Sequence, residues 1–147
     1  MAQPEPFGGG VFIADTSAWA RAHREDVRTE WAEALQSRRI ATCPVVTIEL
    51  LYWAQDGASL DELAADLAQL RDVPITRSVT NAAQRGLRQL AHVRPLFHRS
   101  VKLPDLLIAA AAEDASVGVL HYDADFDTLA TVLDFESRWI APRGSAT

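Results

Sequence analysis

The chain has 147 residues, 48% apolar and 23% charged, with a net charge of −6 and a single cysteine. That length holds one ordinary domain with a real core, and the composition excludes global disorder. The lone Cys43 excludes an internal disulfide and makes a cysteine-based metal site untenable, and no apolar stretch approaches the roughly 20 residues needed to cross a bilayer.

Residues 1–10 hold two prolines and three glycines without a signal-like pattern, and read as a flexible leader. Residues 11–14 are a short β-prone run between turn formers, so a buried first strand is expected there. Asp15-Thr16-Ser17 then supplies a helix N-cap signal, and residues 19–22 and 24–37 read as helical, with Trp31 and Leu35 four apart. A second strand over 40–43 is stopped by Pro44, and a buried helix over 45–55 is stopped by Gly57. Leu60, Leu63, Leu67 and Leu70 recur at helical spacing, which predicts an amphipathic helix over 59–71 capped by Ser59. A short strand over 72–75, a helix over 78–92 and a loop over 95–102 follow. Pro104 opens the next helix, which runs to about 116 and is closed by Gly118. A strand over 119–122, a helix over 124–131 and a last strand over 135–140 complete the domain, and 143–147 form a flexible tail. Strands alternating with helices imply an α/β fold around a mainly parallel sheet, one domain spanning 11–142. The aromatic residues Trp19, Trp31, Tyr52 and Trp53 read mainly as packing residues, with a place for some of them in a dimer or partner-binding groove as the alternative, and Trp139 reads as a strand residue.

The informative feature is the position of the acids. Asp15 ends an apolar run, Glu49 is the only charge in 45–53, Asp105 opens the apolar run 106–112, and Asp123 ends 119–122 with Asp125 two residues on. A carboxylate inside an apolar element costs several kcal/mol unless it is partnered. No set of bases accompanies these acids in their runs, which points to a bound divalent cation. Ligands of open parallel sheets bind beyond the carboxyl ends of the strands, where Asp15 and Asp123 both fall. An all-oxygen donor set suits Mg2+ or Mn2+ better than zinc. A hydrated cation held this way suits phosphodiester hydrolysis. Each acid also has a simpler reading, as a helix cap, a first-turn carboxylate or a turn residue. The net negative charge does not exclude a nucleic-acid substrate, because Arg94, His98, Arg99 and Lys102 can form a local basic rim.

With Ile13-Ala14-Asp15-Thr16-Ser17-Ala18, the lone Glu49, Lys102-Leu103-Pro104-Asp105-Leu106-Leu107-Ile108-Ala109-Ala110 and His121-Tyr122-Asp123-Ala124-Asp125-Phe126 in this order, the chain resembles the PIN-domain ribonucleases, and among them the VapC toxins of toxin–antitoxin pairs. The resemblance covers about 11–142 and implies a three-layer α/β/α fold. It implies that Asp15, Glu49, Asp105 and Asp123 are the catalytic acids, and that Asp15, Asp105, Asp123 and Asp125 hold Mg2+ or Mn2+. Thr16 or Ser17 would support them, and Arg99 and Lys102 would contact RNA. It further implies RNA cleavage by a metal-activated water, a toxin homodimer and a cognate VapB-like antitoxin, while the single cysteine and the lack of a membrane-length apolar run point to a cytoplasmic location away from membranes. Two other classes compete: a catalytically silent interaction module of the same fold, and a Mg2+-binding receiver-like domain. The latter needs an acidic pair after the first strand and a late strand-end lysine, and neither is evident. A serine hydrolase is disfavoured by the absence of a Gly-x-Ser-x-Gly turn.

Overall fold

A computed structural model describes residues 5–145. Five strands form one sheet: β1 (Phe12–Ala14), β2 (Ile40–Thr42), β3 (Arg71–Asp72), β4 (Gly118–His121) and β5 (Ser137–Trp139), in the order β3-β2-β1-β4-β5. Every pairing is parallel, with Ile13 opposite Ala41 on one side and Val119 on the other. The helices are α1 (Thr16–Trp19), α2 (Arg28–Gln36), α3 (Pro44–Tyr52), α4 (Gly57–Leu67), α5 (Arg77–Val93), α6 (Leu103–Ala115) and α7 (Asp125–Leu129).

The two-residue period of a strand explains the layering. Ile13, Ala41 and Val119 point into a core shared with α3, α5, α6 and α7. Their neighbours Phe12, Ala14, Ile40 and Leu120 point to the opposite face, where α1 and α2 supply Ala18, Trp31 and Ala34. Strands covered on both faces have no polar side to show, which is why the runs read as continuously apolar. The result is a three-layer α/β/α sandwich.

Several local expectations shift. The helix stop expected at Gly57 belongs to Trp53, and Gly57 is instead the first residue of α4. Asp56, not Ser59, caps that helix, accepting the Ser59 N–H at 2.7 Å. The helix expected from residue 24 begins at Arg28, after turns closed by Arg24 and Val27. The closing residue of α6 is Ser116, in the left-handed region at φ 55°. Gly118 opens β4, where an added Cβ would lie 2.6 Å from the Phe12 ring and 2.9 Å from the Glu136 carbonyl oxygen. The third strand is shorter and earlier than expected, an exposed edge pair beside Ala41 and Thr42. Of the expected leader, residues 6–10 are packed: Phe7 is buried, and its N–H donates to Glu30 at 2.9 Å. Residues 1–4 of that leader and 146–147 of the expected tail lie outside the described residues. Among the described residues no helix is long and apolar enough to cross a membrane.

Candidate metal centre

The chain leaves β1 toward β2 on one side, while β4 flanks β1 on the other. The crevice where the connections diverge opens at the carboxyl ends of β1 and β4. Asp15 is the first residue beyond β1, and Asp123 is the second beyond β4. Asp15 caps α1, accepting the Ser17 N–H at 3.0 Å and the Ser17 hydroxyl at 2.5 Å. The same hydroxyl accepts the Tyr122 N–H at 2.9 Å, so Ser17 clamps the ends of the two strands together. Ser17 therefore carries the supporting hydroxyl, while Thr16 acts on Asp15 through its backbone. Capping and site formation are compatible duties for Asp15, since a cap uses one carboxylate oxygen.

Asp105 sits in the first turn of α6, behind Pro104, and is 5% exposed. Glu49 lies on the last turn of α3, half-buried. Each has an oxygen sealed from solvent: Oε1 of Glu49 has no hydrogen-bond partner, and Oδ2 of Asp105 is faced by the Lys102 ammonium at 3.4 Å. A buried polar atom in that condition is costly, and a cation is one remedy. Asp123 and Asp125 face Asp105, and one carboxylate oxygen from each of the three lies within 4.8 Å of the others. The Asp125 N–H donates to Asp123 at 2.9 Å, and the Asp123 N–H donates to Nδ1 of His121 at 3.1 Å. Because that nitrogen accepts, Nε2 carries the proton and donates to the Ser137 hydroxyl at 2.7 Å, which donates to Asp127 at 2.7 Å. This chain of bonds braces the turn that carries Asp123.

Lys102 departs from its sequence reading. Its ammonium lies 2.9 Å from Asp123, 2.9 Å from Asp125 and 3.4 Å from Asp105. Three of the acids thus do have a base among them, contrary to the expectation from their runs, and in this structure that base points into the site and not along a basic rim. The signal was present in sequence as the i, i+3 spacing of Lys102 and Asp105 across a helix start. Arg99, by contrast, is exposed on a 3-10 turn over Phe97–Ser100 that leads to Lys102.

The electrostatics follow the geometry. Burial, then the charge of Asp15, holds the Asp105 carboxyl far above the usual carboxylate range, at about 8, despite Lys102. Burial also raises Asp15, against the hydrogen bonds from Ser17, and burial and the Asp15 charge raise Glu49. Burial would raise Asp125 too, but the hydrogen bonds from Lys102 outweigh it and bring that carboxyl below its ordinary value. For Lys102 itself, burial is overcome by its bonds to Asp125 and Asp123, and the ammonium is held above the usual lysine range. Five acids drawn from four distant segments therefore feel one another, with one lysine among them. The donor set is oxygen only, the sealed Oε1 of Glu49 is unpartnered, and an ammonium already rests among three of the carboxylates. These residues fit a hard divalent cation, with Asp105, Asp123 and Asp125 as its nearest holders.

A domain model described as "PIN domain" matches residues 12–132. The chain is 42% identical to "Ribonuclease VapC18" of Mycobacterium tuberculosis, over 92% of its own length and 98% of the relative's. It is 34% identical to "Ribonuclease VapC51" of the same organism, over 91% and 96%. Its fold is similar to the DNA-bound VapBC from Salmonella typhimurium, with a TM-score of 0.69 at 16% identity, covering 89% of this chain and 98% of that one. It is likewise similar to VapBC-5 from Mycobacterium tuberculosis, with a TM-score of 0.62 at 24% identity, covering 87% and 97%. With its acids in order along 12–132 and gathered at the sheet's carboxyl edge, this chain belongs to the PIN-domain family, among the VapC ribonucleases.

Proposed function

We propose that this protein is an endoribonuclease toxin that hydrolyses RNA phosphodiesters with Mg2+ or Mn2+ and is neutralised by a cognate VapB-like antitoxin in the cytoplasm. The observation that carries the reading is the convergence of Asp15, Glu49, Asp105, Asp123 and Asp125 on one crevice, with three of them spaced to grip one ion and a buried, unpartnered oxygen on Glu49. Relatives named as ribonucleases over nearly their whole length support the activity. Asp105, Asp123 and Asp125 hold the cation, with Asp15 completing the negative field from the end of β1. When bound, the cation supplies Lewis acidity toward the phosphodiester and acidifies water. Glu49, whose carboxyl is raised by burial and by the Asp15 charge, orients the attacking water and accepts its proton. Ser17 fixes the Asp15 carboxylate, and Arg99 contacts substrate phosphates from the exposed turn.

Two surfaces suit the expected partners. A groove between α2 and α4 has an apolar floor that includes Trp19, Leu35, Leu63 and Leu67 and a polar rim that includes Arg38 and Asp66, a mixed lining that suits an amphipathic antitoxin segment. Ile48, Tyr52 and Trp53 project from the end of α3 at 67%, 78% and 78% exposure, which favours for the two aromatics the interface reading over internal packing. Three large apolar side chains so displayed suit a homodimer. Incubating the protein with labelled RNA in Mn2+, and in EDTA, tests the activity. Cleavage in Mn2+ that EDTA abolishes is expected. Intact RNA under both conditions would favour a catalytically silent interaction module.

A further inference from the structure

The Lys102 ammonium occupies the place where the acids are densest. It is 2.9 Å from one oxygen of Asp123, 2.9 Å from one of Asp125 and 3.4 Å from Oδ2 of Asp105. These are the same three side chains whose oxygens are spaced to grip one ion. We propose that the Lys102 ammonium and the divalent cation are alternative occupants of these three carboxylates, so that metal entry drives the ammonium out toward solvent. The inference rests on the metal-dependent reading above and assigns Lys102 a part in it as a tethered competitor.

Three features of the chain make the exchange possible. The Lys102 side chain is 61% exposed, so its head can leave without disturbing the core. Its four-carbon stem is flexible, and an ammonium is a point charge with no fixed fork geometry to break. Its backbone N–H donates to the same Asp125 oxygen at 3.0 Å, a bond of the main chain that does not move with the ammonium. Joint occupancy is opposed by charge. A divalent cation draws carboxylate oxygens to about 2.0–2.2 Å, and an ammonium bonded to those same oxygens would then lie against it, positive on positive. The lysine therefore neutralises the cluster at low metal concentration and raises the concentration at which the metal enters.

Titration calorimetry with MnCl2 at fixed ionic strength, on the wild type, Lys102→Gln and Lys102→Arg, tests the exchange. Lys102→Gln is expected to bind Mn2+ up to about fivefold more tightly, given the usual strength of exposed ion pairs. Lys102→Arg, which keeps the charge, is expected to stay within about twofold of wild type. A second readout is the 15N-resolved ammonium signal of Lys102: Mg2+ should move it to a solvent-exchanging position. Equal or weaker Mn2+ binding by Lys102→Gln overturns the competition while leaving the metal site standing. No Mn2+ binding by any of the three proteins overturns the metal-dependent reading and the competition with it.

Discussion

On one wall of the crevice, Asp105, Asp123 and Asp125 share the Lys102 ammonium; on the other, Asp15 and Glu49 have no cation within ion-pair distance among the described residues. The first wall is braced by charge. The second is braced by neutral hydrogen bonds to Asp15 from Ser17, and Glu49 is left with a sealed, unpartnered oxygen. The difference shows in protonation: Asp125, beside the lysine, is lowered, whereas Asp15 and Glu49 are raised. Asp105 touches both regimes, and there burial and the Asp15 charge outweigh Lys102.

The strongest way to break the comparison is to discharge the wall without a lysine. Asp15→Asn should lower RNA cleavage by about a thousandfold or more, because several kcal/mol of charge stabilisation depend on the acidic field. Its melting temperature should hardly move, since Asn caps a helix as well as Asp. Cleavage within tenfold of wild type would remove Asp15 from the machinery. The clamp is tested by Ser17→Ala, which removes the hydroxyl that accepts the Tyr122 N–H and donates to Asp15. Urea unfolding should show a loss of about 1–3 kcal/mol, and an unchanged midpoint would mean that the strand ends do not depend on Ser17.

A pH series sharpens the contrast further. In the folded, metal-free protein Asp105, raised to about 8, holds a proton that the unfolded chain has released, so stability falls as pH rises toward that value. Asp15 and Glu49, also raised, act in the same direction. His121 opposes them at lower pH. It is buried and pushed down to about 4 from 6.5, so the unfolded chain takes up a proton there that the folded one refuses, and stability rises with pH up to 6.5. The clean window is therefore 6.5 to 8. Thermal melts in EDTA should decline across it by about 1 kcal/mol, and Asp105→Asn should lose most of that slope. A flat wild-type profile would contradict the placement of Asp105. The smallest effect belongs to the exposed turn. Arg99→Ala should weaken RNA binding modestly and reduce its salt slope by about one, and an unaltered slope would take Arg99 away from the phosphates.

What was legible in the sequence, and what was not, follows the same division. Asp15, Glu49 and Asp105 stood out because each interrupts or bounds an apolar run, and a two-sided sheet demands such runs. The alternation of strands and helices was legible for the same reason. Lys102 was misread because its direction is set by the helix start at Pro104 and by the turn carrying Asp123 and Asp125, more than twenty residues away. Gly118 looked like a helix stop, but it is required by the Phe12 ring crossing from β1, a contact that no local pattern encodes. Tyr52 and Trp53 looked mainly internal by composition alone, yet α3 ends with both facing outward. The leader resembled a free segment, although Phe7 finds a pocket against α2 that exists only in the folded chain.

The account stands most directly on whether these acids bind a divalent cation. Mn2+ binding followed by electron paramagnetic resonance on the wild type and Asp105→Asn, with folding checked by circular dichroism, measures it. Saturable binding by the wild type, lost or weakened at least tenfold in a folded Asp105→Asn, is the expected result. Binding that Asp105→Asn leaves unchanged, or no binding by the wild type, would contradict it.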